Sequence, residues 1–214
     1  MKIAISGLSG CGNTTAVTNV SKILKIPAVN YTFRNLANDS GLTLEEIQKL
    51  ALKDKIIDYL VDRKIISIFQ KSKNCVVGTR LAAWLMPDAD LRVWLHASLQ
   101  ERSKRIHARE KNKSIHQVRM ETNRRDAENI ARYKEYYKLD IAKERMELDL
   151  VVNTERLTPG QVAALIVAAA KLAASNNLKR QNAHSKRIKT IIARNLTIKK
   201  VNRLPISIKE AIAK

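Results

Sequence analysis

Residues 7–14 read Gly-Leu-Ser-Gly-Cys-Gly-Asn-Thr, and this stretch decides the fold of the 214-residue chain. It follows the P-loop pattern G-x-x-x-x-G-K-[ST], in which backbone N–H groups surround a phosphate at the start of a helix. Asn13 stands where the pattern has lysine, whose charge would offset the negative charge of the phosphates during transfer. The sequence therefore predicts a nucleotide site without its main cation. The candidate residues of this site are Gly7, Gly10, Gly12, Asn13, Thr14 and Thr15.

Short apolar runs separated by helical stretches make up most of the first 176 residues. The strand predicted at 1–5 leads into the P-loop and then into a helix predicted from Thr14 to about Leu24. Further apolar runs lie at 75–77, 91–95 and 148–152. Such runs are typical of a parallel sheet with helices on both faces. We therefore expect an α/β domain with three layers over residues 1–176.

The chain carries a large excess of positive charge. Forty Lys and Arg against 20 Asp and Glu give a net charge of +20 and an isoelectric point of about 10.2. Proteins that lie on nucleic acids use such an excess, because each phosphate contact releases condensed counterions. Selection for solubility, or a charge shift of the whole proteome, is the alternative explanation.

Half of this charge lies in the last 38 residues. Residues 177–214 contain eleven Lys and Arg and one acid, Glu210, which gives +10. Isoleucines at 188, 191 and 192 have helical spacing, so we expect a basic, partly helical tail. The tail either folds on RNA or frays in solvent without a partner. The candidate RNA-binding residues are Lys179, Arg180, Lys186, Arg187, Lys189, Arg194, Lys199, Lys200 and Arg203.

Cysteine and histidine are too sparse to suggest a metal site. The two cysteines are far apart in sequence and the four histidines form no spaced cluster, so neither a disulfide framework nor a zinc site is expected. The N-terminal apolar stretch is too short for a signal peptide, and no run approaches the length of a membrane span. These features favour a cytoplasmic protein in a reducing compartment.

Several segments occur in the order and spacing of one known family. They lie at 5–15, 33–37, 41–46, 80–84, 91–95, 101–110, 132–137 and 149–154. Together they resemble the archaeal-type (type 2) cytidylate kinases, a branch of the P-loop nucleoside monophosphate kinases, over about residues 1–170. The resemblance implies a three-layer fold with a parallel sheet and a helical lid at about residues 100–137, followed here by a basic C-terminal extension.

Members of that family use ATP and Mg²⁺ to phosphorylate CMP or dCMP. The resemblance implies that Arg34 and Arg80 hold the phosphate of the acceptor, and that Asp62 and Arg63 lie beside its base. It also implies that lid arginines surround the transferring group, where guanidinium groups offset charge on the phosphate oxygens. These arginines are Arg102, Arg105, Arg109, Arg125 and Arg132. Surface charge or contact with RNA would explain the same arginines equally well.

Two departures from the family pattern bear on activity. Asn13 replaces the lysine, and Gly78 and Thr79 stand where members typically carry an acid that orients Mg²⁺. Each loss costs ~10²–10³ in rate, and the two together about 10⁴ or more if they add.

Two functions therefore compete. The sequence favours an impaired, cytidylate-kinase-like protein that needs no cofactor and binds RNA in the ribosome or another ribonucleoprotein. The alternative is an active (d)CMP kinase that uses ATP and Mg²⁺, with Lys2 or a lid lysine in place of the missing cation.

Overall fold

The computed structural model describes residues 1–86, 88–110, 112–175 and 183–213. These residues form one parallel sheet with the strand order β2-β3-β1-β4-β5. The strands are β1 (Lys2–Gly7), β2 (Ala28–Val29), β3 (Cys75–Gly78), β4 (Leu91–His96) and β5 (Leu150–Asn153). The predicted strands are present, and the two-residue β2 is too short to leave a pattern in the sequence.

Helices connect the strands and cover both faces of the sheet. The helices before β4 are α1 (Asn13–Leu24), α2 (Phe33–Ser40), α3 (Leu44–Lys53), α4 (Ile56–Lys71) and α5 (Ala82–Leu85). After β4 follow α6 (Leu99–His107), α7 (Ile115–Tyr137), α8 (Ile141–Glu144), a 3₁₀ turn (Arg145–Glu147), α9 (Pro159–Ser175), α10 (Ala183–Asn195), α11 (Ile198–Val201) and α12 (Ile206–Ala213). The helices α6 and α7 occupy the predicted lid region. The expected α/β fold with three layers is confirmed.

Alternating side chains of the strands divide the core into two clusters. Ile3 and Ile5 are buried on one face of β1, where they pack with residues of α1 and α9. Ala4 points to the opposite face, into a larger cluster with residues of α2, α4 and α5. Trp84 and Trp94 meet edge to face in this larger cluster, with ring centroids 5.5 Å apart. The sheet is therefore buried on both faces, as parallel sheets are.

The described part of the basic C-terminal segment packs on the domain. Ile188 and Ile208 are fully buried in the larger cluster, and Ile192 nearly so. The helix α10 contacts α4, α5 and α7, and α12 contacts α2. The sequence predicted a tail that is either free in solvent or ordered only by RNA. The structure differs, because the isoleucines of the segment pack against apolar residues of the domain.

Part of the predicted tail lies outside the described residues, including Lys179 and Arg180. Nothing is described of the Lys199 side chain either. A domain boundary at 176/177 stays a prediction. Among the described helices, none is long and apolar enough to span a bilayer.

Candidate functional site

A cleft of about 690 Å³ opens at the carboxyl ends of β1 and β3. The P-loop and Thr15 line one end of this cleft. Tyr31, Phe33, the acidic face of α4 and the tyrosines near the end of α7 line the other end. Ligands of open parallel sheets bind at the carboxyl ends of the strands, so this cleft is the candidate site.

The glycines give the P-loop its shape. Gly10 and Gly12 have positive φ values of 83° and 100°, which side-chain-bearing residues rarely adopt. A Cβ on Gly10 would lie 2.9 Å from the Cβ of Arg102, whereas a Cβ on Gly12 would meet nothing within 4 Å. Because α1 begins directly after Gly12, its N-terminus faces the cleft and favours an anion there.

The Asn13 side chain forms a hydrogen bond with the backbone of the P-loop. Its Nδ2 donates a hydrogen bond to the carbonyl oxygen of Gly7 over 2.7 Å. Its Oδ1 is buried and accepts no hydrogen bond from any described residue. The side chain therefore brings no charge to the cleft, and one of its amide donors is already engaged by the loop.

Arg102 supports the P-loop from behind and does not line the cleft. Its guanidinium donates to the carbonyl oxygens of Ser9 (3.0 Å) and Ala97 (3.1 Å). It also forms a buried ion pair of 2.6 Å with Asp126 on α7. Removing either partner would leave a buried charge unpaired. The structure thus places this predicted lid arginine under the loop and outside the lining of the cleft.

Four of the predicted arginines do line the cleft: Arg80, Arg105, Arg109 and Arg132. Arg80 reaches across to the P-loop, where Nη2 donates to Ser9 Oγ over 2.7 Å. Arg105 donates to the hydroxyl and the carbonyl oxygen of Thr154, at 2.9 and 2.8 Å.

Three other predicted site arginines lie elsewhere. Arg34 and Arg125 are exposed and do not line the cleft. Arg63 lines a separate groove between α4 and α10.

Lysine does not take the place of the missing cation in the described cleft. Lys2 lies at the opposite end of β1, about 16 Å of strand away from Gly7. There its Nζ donates to the carbonyl oxygen of Gln70 and lies over the ring of Phe69. The lysines of the described lid do not line the cleft. The cationic side chains that line the described cleft are therefore all arginines.

The far end of the cleft combines acids with tyrosines. Asp58 and Asp62 lie one turn apart on α4, and the Tyr137 hydroxyl donates a hydrogen bond to Asp62. Burial, together with the charge of Asp58, raises the pKa of Asp62 to about 7 despite this hydrogen bond. Burial also raises the pKa of Asp58, although Arg132 Nη1 lies 3.3 Å from its carboxylate.

Sequence reasoning singled out Asp62 but missed Asp58. The i, i+4 spacing of the two acids on a predicted helix was the available signal, since it places both on one face. Tyrosine rings form the aromatic part of this end of the cleft. Tyr59 and Tyr137 pack edge to face with centroids 5.5 Å apart, and Tyr133, Tyr136 and Tyr137 also line the cleft.

The P-loop end of the cleft fits phosphate better than it fits a metal ion. Thr14, Thr15 and Thr79 offer hydroxyl groups there, and the carboxylates that line the described cleft are both at its far end. In the described part of the chain, no group of three His, Cys, Asp or Glu could hold a metal. Thr79 Oγ1 instead accepts from the backbone N–H of Leu81. The residues present thus suit ATP phosphates but give Mg²⁺ no carboxylate.

Comparisons with known proteins agree with this geometry. Cytidylate kinases of Natronomonas pharaonis and Thermococcus sibiricus are 40% and 37% identical over 172 and 169 residues, which cover 79% and 78% of this chain and 88% and 86% of theirs. Cytidylate kinase 2 of Borrelia garinii subsp. bavariensis is 33% identical over 78% of this chain and 94% of its own.

Solved structures share the fold at low sequence identity. An uncharacterised protein from Eubacterium ventriosum has a TM-score of 0.59 at 16% identity and covers 80% of this chain and 98% of its own. The M. mycoides deoxyadenosine kinase with bound dATP has a TM-score of 0.50 at 18% identity and covers 80% and 99%. The model of the cytidylate kinase-like family matches residues 2–156, which include the P-loop and every residue that lines the cleft. The chain therefore belongs to the cytidylate kinase-like family.

Proposed function

We propose that the chain transfers the γ-phosphoryl group of ATP to CMP or dCMP. The observation that carries this proposal is the two-ended cleft, with an anion-binding loop at one end and an acidic, aromatic pocket at the other. Such a cleft accommodates two substrates with their phosphates facing each other in the middle. Family membership and the relatives named cytidylate kinase support the same activity.

The acidic, aromatic end suits a base with an amino group. Cytosine presents an N4 amine, and carboxylates accept hydrogen bonds from it. Asp58 and Asp62 offer such acceptors, and the tyrosine rings offer flat surfaces for the base. A carboxyl group with a pKa of about 7 also exists in part as a neutral donor near neutral pH, which suits the ring acceptors of cytosine.

The cleft arginines replace the lysine in this proposal. Arg80 is tied to the P-loop through Ser9, and its buried Nε has no partner among the described residues. Arg105, Arg109 and Arg132 approach from the lid side. Guanidinium groups bind phosphate through two parallel hydrogen bonds and offset the charge that spreads over the transferring group.

Mg²⁺ would be held mainly by phosphate oxygens and water. When bound with ATP, Mg²⁺ neutralises phosphate charge, and Thr14 is the P-loop hydroxyl placed to hold it. Since no carboxylate lines this end of the described cleft, the protein itself contributes little to binding the metal.

The proposed enzyme is slow but not inactive. Loss of one preorganised charge-stabilising group costs ~10²–10³ in rate, and the arginines recover only part of it. The sequence predicted an impaired kinase, and we propose that the impairment is a lower rate of phosphoryl transfer from ATP to CMP or dCMP.

Steady-state assays with purified protein, ATP and Mg²⁺ test this proposal. We expect ADP formation with CMP and dCMP and much less with AMP. A Gly12→Asp variant measures any contaminating kinase, because it places a negative charge in the anion-binding loop. A Cβ there meets nothing within 4 Å, but the φ of 100° strains any side-chain-bearing residue, so the melting temperature of the variant is measured as well. Equal rates for the variant and the unmodified chain, or equal rates with AMP and CMP, would contradict the proposal.

Binding of RNA is a second candidate function, favoured by one observation. On α10–α12 most of the described large apolar side chains face the core, whereas Lys186, Arg194, Lys200 and Arg203 are exposed. A basic surface of this kind binds phosphate backbones with an affinity that falls steeply with salt. The ribosome or another ribonucleoprotein, expected from the sequence as the host of this chain, stays a prediction.

A further inference from the structure

A second concave site lies between α4 and α10, outside the kinase cleft. Its volume is about 350 Å³, within the range of ligand pockets. Arg63, Gln70 and Lys189 supply polar groups. The small exposed parts of Ile66, Ile192 and Leu196, which are otherwise buried in the core, form an apolar floor. We call this site the α4–α10 groove. Acidic side chains do not line it in the described part of the chain.

The positive charges of Arg63 and Lys189 are only weakly neutralised by nearby carboxylates. Arg63 is exposed and has no hydrogen bond or ion pair with any described residue. Lys189 has a carboxylate neighbour in Asp88, but their charged atoms are 3.9 Å apart and the Asp88 side chain is 68% exposed. Such an exposed, long ion pair contributes little, so the groove presents positive charge to a ligand.

The charge continues along the C-terminal helices. Residues 183–213 contain eight Lys and Arg against Glu210 alone, a net charge of +7. Lys186, Arg194, Lys200 and Arg203 are exposed on these helices. One small anion would engage two or three of these cations, whereas a polyanion engages the groove and the surface around it together.

The direction of the apolar side chains separates nucleic acid from membrane. A helix that lies on a bilayer points its apolar face outward into the lipid. Here Ile188, Leu204 and Ile208 point into the protein core, and Ile206 is the large apolar side chain exposed in the described part of the segment. The outer surface is therefore polar and basic, which suits phosphates in water and not lipid chains.

We propose that the α4–α10 groove binds one nucleotide of a single-stranded RNA segment that lies along α10. Arg63 and Lys189 hold its phosphate, and Ile66, Ile192 and Leu196 carry its base. In single-stranded nucleic acid complexes, cationic side chains contact the phosphates and the bases pack on flat or apolar surfaces. One nucleotide would therefore contact both the cationic and the apolar part of the groove. This inference rests on the proposed RNA binding and adds where the strand is held.

The groove and the kinase cleft use different faces of α4. Asp58 and Asp62 line the cleft, whereas Arg63, Ile66 and Gln70 line the groove. Substitution of Lys189, which lies on α10, is therefore expected to leave the kinase activity unchanged. Because the sequence places Arg63 beside the base, the melting temperature and not the kinase activity shows whether the double groove variant remains folded.

The test measures fluorescence anisotropy of a labelled single-stranded RNA of about 12 nucleotides with the full chain. The groove variant is Arg63→Ala/Lys189→Ala. The matched control is Lys22→Ala/Lys171→Ala, which removes the same charge from exposed positions of α1 and α9 on the other face of the sheet. We expect the groove variant to lose about tenfold or more in affinity and to have a smaller salt dependence, with a much smaller loss for the control.

The outcomes separate the site from RNA binding in general. Equal losses in both double variants would overturn the groove as the site and leave binding by overall charge. No binding of RNA by the unmodified chain at low salt would overturn the proposed RNA binding itself. Binding to phosphatidylserine vesicles without binding to RNA would overturn the choice of nucleic acid over membrane.

Discussion

At the scale of single residues, the hydrogen bond from Asn13 to the carbonyl oxygen of Gly7 explains how a P-loop keeps its shape without lysine. The amide ties the loop to the end of β1, so the backbone cradle for phosphate persists. What is absent is a full positive charge at the reacting phosphates. If the chain transfers phosphoryl groups as proposed, we expect Asn13 to affect the rate of transfer more than the architecture of the site.

We predict that Asn13→Lys raises kcat for CDP formation by ~10²-fold, since it restores a preorganised cation. Steady-state kinetics with CMP and ATP measure the change. Asn13→Gln is the matched control, because it lengthens the side chain and adds no charge. If the lysine variant is no faster than the glutamine variant, the missing charge does not limit the rate.

The arginines of α7 provide a comparison within one helix. Arg132 lines the cleft and Arg125 is exposed outside it. We predict that Arg132→Ala lowers kcat/KM for CMP by ~10²-fold, whereas Arg125→Ala changes it less than about threefold. Both variants remove the same charge from the same helix. Equal effects would mean that only the net charge of the lid matters.

Asp62 gives a pH dependence whose sign follows from its raised pKa. An unfolded aspartate has a pKa of about 3.9, while burial raises the pKa of Asp62 to about 7 in the folded chain. Between these values the folded state holds the proton and the unfolded state does not. The free energy of unfolding therefore loses this contribution as pH rises from about 4 to about 7.

We predict that Asp62→Asn removes this loss, because the asparagine amide does not titrate and its oxygen still accepts from Tyr137. The difference in free energy of unfolding, Asp62→Asn minus the unmodified chain, should grow from pH 4 to 7 and then level off. Urea denaturation across this range measures it. A difference that is independent of pH would show that the folded chain does not raise the pKa of this carboxyl.

At the scale of elements, the sequence pattern was sufficient to predict those elements whose structure depends on residues close to one another in sequence. The strand before the P-loop and the helix after it appear as the sequence predicts. The position of Arg102 under the P-loop could not be predicted, because it depends on contacts with Ser9 and Asp126, which are distant in sequence. Arg63 was placed beside the base, but the helical turn points it to the opposite side of α4 from the cleft.

The packing of α10 and α12 on the domain could not be predicted from the sequence either. The isoleucine spacing indicated an apolar stripe but not the surface that covers it. In the structure this surface belongs to α2, α4, α5 and α7, three of which carry residues of the far end of the cleft. The described C-terminal helices thus pack against the domain, although the family match ends at residue 156.

We predict that Ile188→Ala lowers the free energy of unfolding by about 2–5 kcal/mol, because it leaves a cavity in the core. Ile206→Ala is the matched control, since this side chain is 69% exposed, and we expect a change below about 0.5 kcal/mol. Urea denaturation measures both. Equal, small effects would mean that the C-terminal helices do not contribute to the core in solution.

At the scale of the whole molecule, the family and the fold predicted from the sequence are confirmed. The sequence favoured impaired activity because two groups of the family pattern are replaced, and the rate of the reaction stays a prediction. The cleft collects Arg80, Arg105, Arg109 and Arg132 from separate parts of the chain. Their convergence is a property of the folded molecule. The net charge of +20 is likewise explained only in part by the cleft, since much of it lies on the C-terminal helices.

The central claim is that this cleft transfers a phosphoryl group without a P-loop lysine. The most direct measurement is a single-turnover reaction of the unmodified chain in excess over ATP labelled in its γ-phosphate, with CMP present. We predict that the label moves into CDP, and that Gly12→Asp prevents it. Label that remains in ATP, or that appears only as inorganic phosphate, would contradict the account.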